Sequence, residues 1–287
     1  MYKNKSTVLN IGILNLMPDL DKYQSELETL FSSLGISTKL HWLKLSSKPS
    51  SASQPAALKP PYSLYSEVIE TTQLDGLIVS GAPVEKLPFS EVVYWQELLA
   101  LIKSAQRRSI PLLGICWGAL AIAKSIGIGK KVIEEKHNGI YDMQNQSFSH
   151  SAYSCLKQSF PMPFSIYAHL NESDVHSQIV NGVVTVLAGN DCYPHALLQT
   201  TDEMNTMCLG HPEYTSNRVL NEWLRDAANN PNSVPPVNFD LNDPKHFWKS
   251  YSEQFFVTWL QQLTSIKKAA MAPLLQESTN GDVLFYE

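Results

Sequence analysis

Charge is scarce in this chain, and no basic excess exists. Only 17% of residues are charged, with Lys plus Arg at 22 against Asp plus Glu at 27, a net charge of -5. Nucleic-acid binders carry a basic excess or stripe, so that partner class is excluded. Long apolar runs are missing too. The longest, Leu112 to Ala123, spans 12 residues and contains Gly114 and Gly118, which is too short to cross a bilayer. The four cysteines, Cys116, Cys155, Cys192 and Cys208, form no CxxC pair and no Cys/His cluster at zinc spacing. A disulfide scaffold and a zinc module are thereby excluded, no metal is expected, and reduced thiols in a cytoplasmic protein are the natural reading. Lys3 and Lys5 precede an apolar stretch, but Asn10, Asn15 and Pro18 interrupt it and no small-residue cleavage site follows. A first β-strand is therefore expected there, not a signal peptide.

What the chain does have is apolar mass. At 287 residues, 44% hydrophobic and 10% aromatic, it buries a full core without staples, and it is neither disordered nor a coiled coil. Val8 to Leu16 reads as a buried strand. Tyr23 to Leu34 follows with Leu27, Leu30, Phe31 and Leu34 on one helical face, stopped by Gly35, and Ser37 to Leu45 alternates as a second strand. Strand–helix–strand opens a parallel α/β sheet. Further strands are expected at Asp75 to Ser80 and Leu112 to Cys116, with helices at Tyr65 to Ile69, Val92 to Lys103 and Trp117 to Ile126. The second half is less regular, with strands expected at Val183 to Ala188, Ala196 to Gln199 and Met207 to Leu209, and helices at Asn217 to Ala227 and His246 to Leu263. This gives one catalytic α/β domain over 1–265 and a loosely ordered tail over 266–287. The Ser- and Pro-rich stretch 46–61 reads as a flexible loop or lid.

The local signal for chemistry is Gly114-Ile115-Cys116-Trp117-Gly118. A buried strand runs into a cysteine and straight into a helix, and flanking glycines permit the sharp turn that lifts the side chain out of the sheet, as in a nucleophile elbow. The helix N-terminus behind the sulfur is expected to lower the thiol pKa. The Trp117 N–H is a candidate oxyanion donor, and the Gly81-Ala82 backbone, at the carboxyl edge of a strand, is the candidate second one. A cysteine nucleophile needs a base and a group that orients it. His211 and Glu213, two residues apart in Gly210-His211-Pro212-Glu213-Tyr214 and just after a strand, suit those roles.

In order along residues 8–262, Asn15-Leu16-Met17-Pro18, Asp75-Gly76-Leu77-Ile78-Val79, Gly81-Ala82-Pro83-Val84-Glu85, Tyr94-Trp95, Cys116-Trp117, Gly139-Ile140-Tyr141, Gly210 to Tyr214, Arg225-Asp226, Asn242-Asp243-Pro244, and Trp248 with Phe256 and Trp259 resemble the homoserine O-acyltransferase family. The resemblance implies a class I glutamine-amidotransferase-like (flavodoxin-like) fold: a largely parallel sheet flanked by helices, with extra C-terminal helices. It implies Cys116 as acyl acceptor, His211 as base, Glu213 as its orienter, and Arg225 on the amino-acid carboxylate, for which a planar guanidinium is well shaped. Ser165 and Glu85 join Arg225 at the substrates. Glu85 stands where the family's donor choice is made, a carboxylate going with acetyl-CoA and glycine with succinyl-CoA. Two departures stand out: Asp19 and Leu20 follow Met17-Pro18, where the family has lysine, and Pro163-Phe164-Ser165-Ile166 replaces Pro-His-Ser-Arg.

The expected activity is an acyl-CoA-dependent O-acyltransferase working through a Cys116 thioester. The donor is acetyl-CoA in preference to succinyl-CoA, and no cofactor is permanently bound. The departures bear on the acceptor: homoserine is the default, serine or another small hydroxy amino acid the alternative. The partners are small molecules, neither nucleic acid nor membrane, with a homodimer left open. One rival is a glutaminase or amidotransferase-like hydrolase, although the position four after the cysteine is Leu120 where such enzymes usually have Gln. The other is a non-catalytic binding protein on the same fold.

Overall fold

A computed structural model describes residues 8–48, 62–147 and 151–279. The chain runs β1 (Leu9–Leu14), α1 (Leu20–Ser33), β2 (Thr38–Lys44), β3 (Ser63–Leu64), α2 (Tyr65–Thr71), β4 (Gly76–Val79), α3 (Trp95–Arg107), β5 (Leu112–Ile115), α4 (Trp117–Ser125), β6 (Lys130–Asn145), β7 (Ser159–Leu170), α5 (Glu172–Val180), β8 (Val184–Gly189), β9 (Leu197–Thr200), β10 (Asn205–Cys208), α6 (Ser216–Asn229) and α7 (Lys249–Thr279). The ten strands of the described residues form one sheet in the order β3-β2-β1-β4-β5-β10-β9-β8-β6-β7. From β3 to β10 each neighbour is parallel, and from β10 to β7 each is antiparallel. The β2-β1-β4-β5 core is the flavodoxin-like winding, and the direction of winding reverses between β1 and β4.

The central parallel strands β1, β4 and β5 are short, largely apolar runs because both faces are covered. Every residue of β4 and β5 is buried. On one face α7 lies against β1 and β4: a Cβ on Gly76 would fall 2.6 Å from Leu263 Cδ1 and 3.0 Å from the Trp259 ring, so the glycine is what lets the helix approach. Phe31 of α1 meets Phe256 of α7 at 5.5 Å between ring centroids. Trp259 is 1% exposed, and removing such a buried ring costs about 3–5 kcal/mol. On the other face α4 is buried along almost its whole length, from Trp117 to Ala123.

The sequence pattern locates the parallel half to within a few residues, but α3 begins at Trp95 rather than Val92. Three strands and a helix escape it: the two-residue β3, then β6, β7 and α5. The first half of β6 is mostly exposed or half-buried, and its register against β7 shifts between Val132 and His137, so no clean alternation exists to read. The aperiodic tail expected from 266 is corrected as well. Helix α7 continues through that point to Thr279, since Ile266 is followed by Lys267, Lys268, Ala269 and Ala270, all strong helix formers with no breaker among them. Lys267 ties this turn to the sheet, 2.8 Å from Asp75 Oδ2 and 3.2 Å from the Val8 carbonyl. Residues 49–61 of the expected loop and 280–287 of the expected tail lie outside the described residues.

Candidate active site

The site lies at the carboxyl ends of β1, β4, β5 and β10. Cys116 follows β5 directly, with φ 52° and ψ -110°. A non-glycine residue so placed stores about 1–3 kcal/mol of strain. The flanking glycines are required by contact: a Cβ on Gly118 would fall 2.0 Å from the Val79 carbonyl oxygen, and one on Gly114 would fall 2.6 Å from the backbone of Gly118 and Ala119. The Cys116 N–H donates to Cys208 O at 2.8 Å, fixing the elbow to β10. The turn expected from the sequence is thus present.

His211 leaves the end of β10, its N–H donating to Pro163 O at 2.8 Å. Its Nδ1 is 2.9 Å from Glu213 Oε1, and its ring stacks on Tyr214 at 3.9 Å. Both His211 and Cys116 are 2% exposed. A Cβ added to Gly81 would lie 3.2 Å from His211 Cε1 and 3.5 Å from Cys116 Cβ, so the turn after β4 runs close to both side chains and a glycine there leaves them room. Glu213 Oε2 has no partner among the described residues.

The expectation of a lowered thiol pKa is overturned. Burial, reinforced by the carboxylates of Glu85, Glu213 and Glu222, pushes the Cys116 thiol well up, and the Trp117 N–H at the sulfur offsets only part of this. The Sγ has Glu85 Oε1 at 3.7 Å and the Ser165 carbonyl at 3.9 Å as acceptors. A helix N-terminus is worth roughly half a charge, and three nearby carboxylates in a dry site outweigh it. Cys116 rests as a thiol. Glu85 is itself buried, which raises its carboxyl pKa against the pull of its backbone, His211 and Lys136. Its loop is held by the Lys130 ammonium, which donates to the Glu85 and Leu87 carbonyls.

The far wall comes from β6, β7 and α6. Ser165 Oγ donates to Glu222 Oε2, Tyr214 OH donates to Glu222 Oε1 at 2.8 Å, and Lys136 Nζ lies 3.7 Å from Glu222 and 2.5 Å from Asp226. Burial alone would raise Glu222, but Lys136, His211 and the two hydroxyls hold its carboxyl below the usual range. Arg225 lies on the same cavity, 51% exposed, and pairs with Asp226 at 3.0 Å, not with Glu222. Ser165, Glu85, Ala82, Arg225, Cys116 and His211 therefore all line one cavity of about 360 Å³. Sequence reasoning missed Lys136, Tyr167 and Glu222 as members of it. The signal available was the spacing of Glu222, Arg225 and Asp226, which lie on one face of a helix.

Both departures from the family pattern find a place. Asp19 Oδ2 accepts from Arg218 Nη1 at 2.7 Å, and Glu26 takes the same guanidinium at 2.6 Å, joining α1 to α6. Phe164 stacks on Tyr193 at 4.1 Å and Ile166 is fully buried, while Ser165 and Tyr167 line the cavity. The two substituted side chains thus belong to the core of the antiparallel half.

The geometry defines a class: a cysteine elbow backed by a His–Glu pair on a class I glutamine-amidotransferase-like sheet. Solved structures of the same architecture include a glutamine amidotransferase from Thermotoga maritima, with TM-score 0.61 at 13% identity over 89% of this chain and 97% of that one. Another is a glutamine amidotransferase from Methylobacillus flagellatus, with TM-score 0.59 at 14% identity over 88% and 94%. These likenesses concern the fold. The chain belongs to the homoserine O-succinyltransferase family, whose model matches residues 2–269, and it is an O-acyltransferase. Among relatives, it is 31% identical to a homoserine O-acetyltransferase of Methanomassiliicoccus intestinalis over 88% of this chain and 83% of that protein. It is 30% identical to one of Lysinibacillus sphaericus, over 88% and 82%. A homoserine O-succinyltransferase of Vibrio parahaemolyticus is 29% identical, over 88% and 81%. Among the described residues no helix is long and apolar enough to cross a membrane.

Proposed function

We propose that the protein moves an acetyl group from acetyl-CoA to the hydroxyl of L-homoserine through a thioester on Cys116. The observation that carries the donor is Glu85, whose Oε1 lies 3.7 Å from the Cys116 sulfur. A succinyl group on that sulfur would bring a second carboxylate against the first, in a space the glutamate already fills, and an acetyl group would not. Burial raises the Glu85 carboxyl, so bulk works beside charge.

Because Cys116 rests as a thiol, His211 takes the sulfur's proton as Sγ attacks the thioester carbonyl. The Trp117 and Ala82 N–H groups serve the oxyanion. The tetrahedral intermediate expels CoA as its thiol, with the proton returned by His211, and Glu213 balances the imidazolium in between. In the second half-reaction His211 removes the acceptor hydroxyl's proton, the oxygen attacks the Cys116 thioester, and the sulfur leaves and regains its proton. Arg225 binds the acceptor carboxylate. Homoserine is favoured over serine because the relatives matched over most of the chain are homoserine O-acyltransferases, while Phe164 and Ile166 turn into the core. Leu120, fully buried in α4, offers none of the amide chemistry of the glutaminase position, which favours acyl transfer over glutamine hydrolysis.

Intact-protein mass spectrometry with acetyl-CoA and succinyl-CoA tests the reading. An acetyl adduct on Cys116, cleared by homoserine, is the expected result. Glu85→Gly should shift the donor ratio toward succinyl by about tenfold or more, the scale of one strong charge conflict. An unchanged ratio removes Glu85 from donor choice.

A further inference from the structure

We infer that the cleft between the ends of β1 and β4 binds the nucleotide half of the acyl-CoA donor, with the Lys48 ammonium directed at its phosphates. This rests on the acyl-CoA reading above and adds where the donor lies.

The cavity holding Cys116 measures about 360 Å³, near the low end for small-molecule sites. It has room for a thioester and a small amino acid but not for a whole coenzyme. Two neighbouring cavities share its walls. One, of about 350 Å³, is reached past Lys136, Tyr167 and Asp226. The other, of about 1070 Å³, shares Met17, Pro18, Ala82 and Pro83 with it. Size favours the second, and so does charge. The smaller cavity carries Glu134, Glu135 and Asp226 against Lys86 and Lys136. The larger carries Lys44 and Lys48 against Glu67. A nucleotide with a pyrophosphate and a further phosphate is repelled by the first set and attracted by the second. The larger cleft also lies where the winding of the sheet reverses, between β1 and β4, which is where open α/β sheets take ligands.

Lys48 adds an independent observation. Its ammonium donates to the Leu16 carbonyl at 2.7 Å, on the wall next to Met17. The segment that carries it is fixed, since the Ser46 and Ser47 N–H groups each donate to the Glu97 carboxylate at 2.8 Å. No ion pair to Lys48 exists among the described residues, and residues 49–61 contain neither Asp nor Glu. Burial pushes the amine down to about 8. A desolvated cation without a counter-charge is unfavourable, and a phosphate would supply that charge.

The test compares acetyl-CoA with S-acetyl-N-acetylcysteamine, which carries the same thioester and no phosphate. Lys48→Ala should raise KM for acetyl-CoA about tenfold, the loss of one charge-assisted hydrogen bond, with KM for the acceptor unmoved. Lys48→Arg should recover most of it. With the short thioester the difference between wild type and Lys48→Ala should vanish, which a merely structural lysine would not produce. An equal defect on both donors overturns the proposal. So does an unmoved KM in Lys48→Ala alongside a raised one in Lys86→Ala, which would send the donor through the smaller cavity. If no acyl-CoA acylates the wild-type enzyme, the underlying reading falls as well. If acyl-CoA turns over and Lys48→Ala matches wild type, only the cleft is wrong.

Discussion

The six parallel strands and the four antiparallel ones approach the site from opposite sides, and they build it by different means. In the parallel half, each contribution comes from a turn at the end of one short buried strand: Met17 and Pro18 after β1, Gly81 to Glu85 after β4, Cys116 after β5, His211 after β10. Position along the chain determines position in space there, because a parallel strand delivers its end to the same edge every time. In the antiparallel half, Lys136, Ser165 and Tyr167 sit within long strands, and their neighbours are decided by cross-strand register. The proposed reacting groups come from the first architecture and the other wall of the cavity from the second. Mutations of the former should abolish chemistry, and mutations of the latter should alter what is accepted.

The sharpest way to break that division is Cys116→Ala. Removal of a nucleophile in comparable machinery costs about 10⁴-fold or more, and no acyl adduct should appear by mass spectrometry. His211→Ala should lose about 10²–10⁴-fold, while Glu213→Gln should lose less, since the ring stays stacked on Tyr214. Wild-type rates in Cys116→Ala would refute the covalent route. Equal rates in all three variants and wild type would move the chemistry out of the parallel half altogether.

Arg225→Lys probes the other side. Its fork is half exposed and paired with Asp226, so a single ammonium keeps the charge and loses the bidentate geometry. Single-turnover measurements should show acylation of Cys116 intact and transfer to the acceptor slowed about tenfold, the scale of one charge-assisted hydrogen bond. Slowed acylation would place Arg225 on the donor side instead.

The pH dependence of Cys116 alkylation separates local from long-range control. The elbow alone, with a helix N-terminus behind the sulfur, argues for a thiolate at neutral pH. Glu85, Glu213 and Glu222, brought in from other elements, argue for a thiol, and burial adds to them. Since the pKa is raised, the reactive thiolate is depleted at neutral pH and grows as pH rises. Iodoacetamide labelling at Cys116 should therefore climb steadily above about pH 7, with no plateau at lower pH. A plateau near pH 6 would reveal a preformed thiolate–imidazolium pair and restore the local expectation.

The same contrast explains what can be read from the sequence. Cys116, His211, Glu213 and the parallel strands are local patterns: glycines around a turn, an apolar run, two residues apart in one loop. Arg225 and Glu85 come through the family resemblance, and both line the cavity. Glu222 and Lys136 escape, because Glu222 meets Ser165 across 57 residues and Lys136 meets Asp226 across 90. Nothing local marks such pairs. The raised thiol pKa is hidden for the same reason, since Glu85 lies 31 residues from the sulfur in sequence and Glu213 and Glu222 lie far beyond it on the other side.

The smallest effect tests whether Asp19 has taken over a structural task at the position where the family has lysine. Arg218 is 2% exposed and holds both Asp19 and Glu26, joining α1 to α6 behind Tyr214. Asp19 itself is 43% exposed on its side chain, so solvent screens the pair and Glu26 remains when it is lost. Asp19→Asn should lower stability by no more than about 1 kcal/mol, the range of such exposed pairs. Asp19→Lys should cost more, because it sets an ammonium against a buried guanidinium that cannot be deprotonated. Denaturant unfolding of the two variants separates these effects, and the acceptor's KM should stay close to wild type in Asp19→Asn. If Asp19→Lys instead proves as stable as Asp19→Asn and improves the acceptor's KM, position 19 faces the substrate, and the Arg218 pair is incidental.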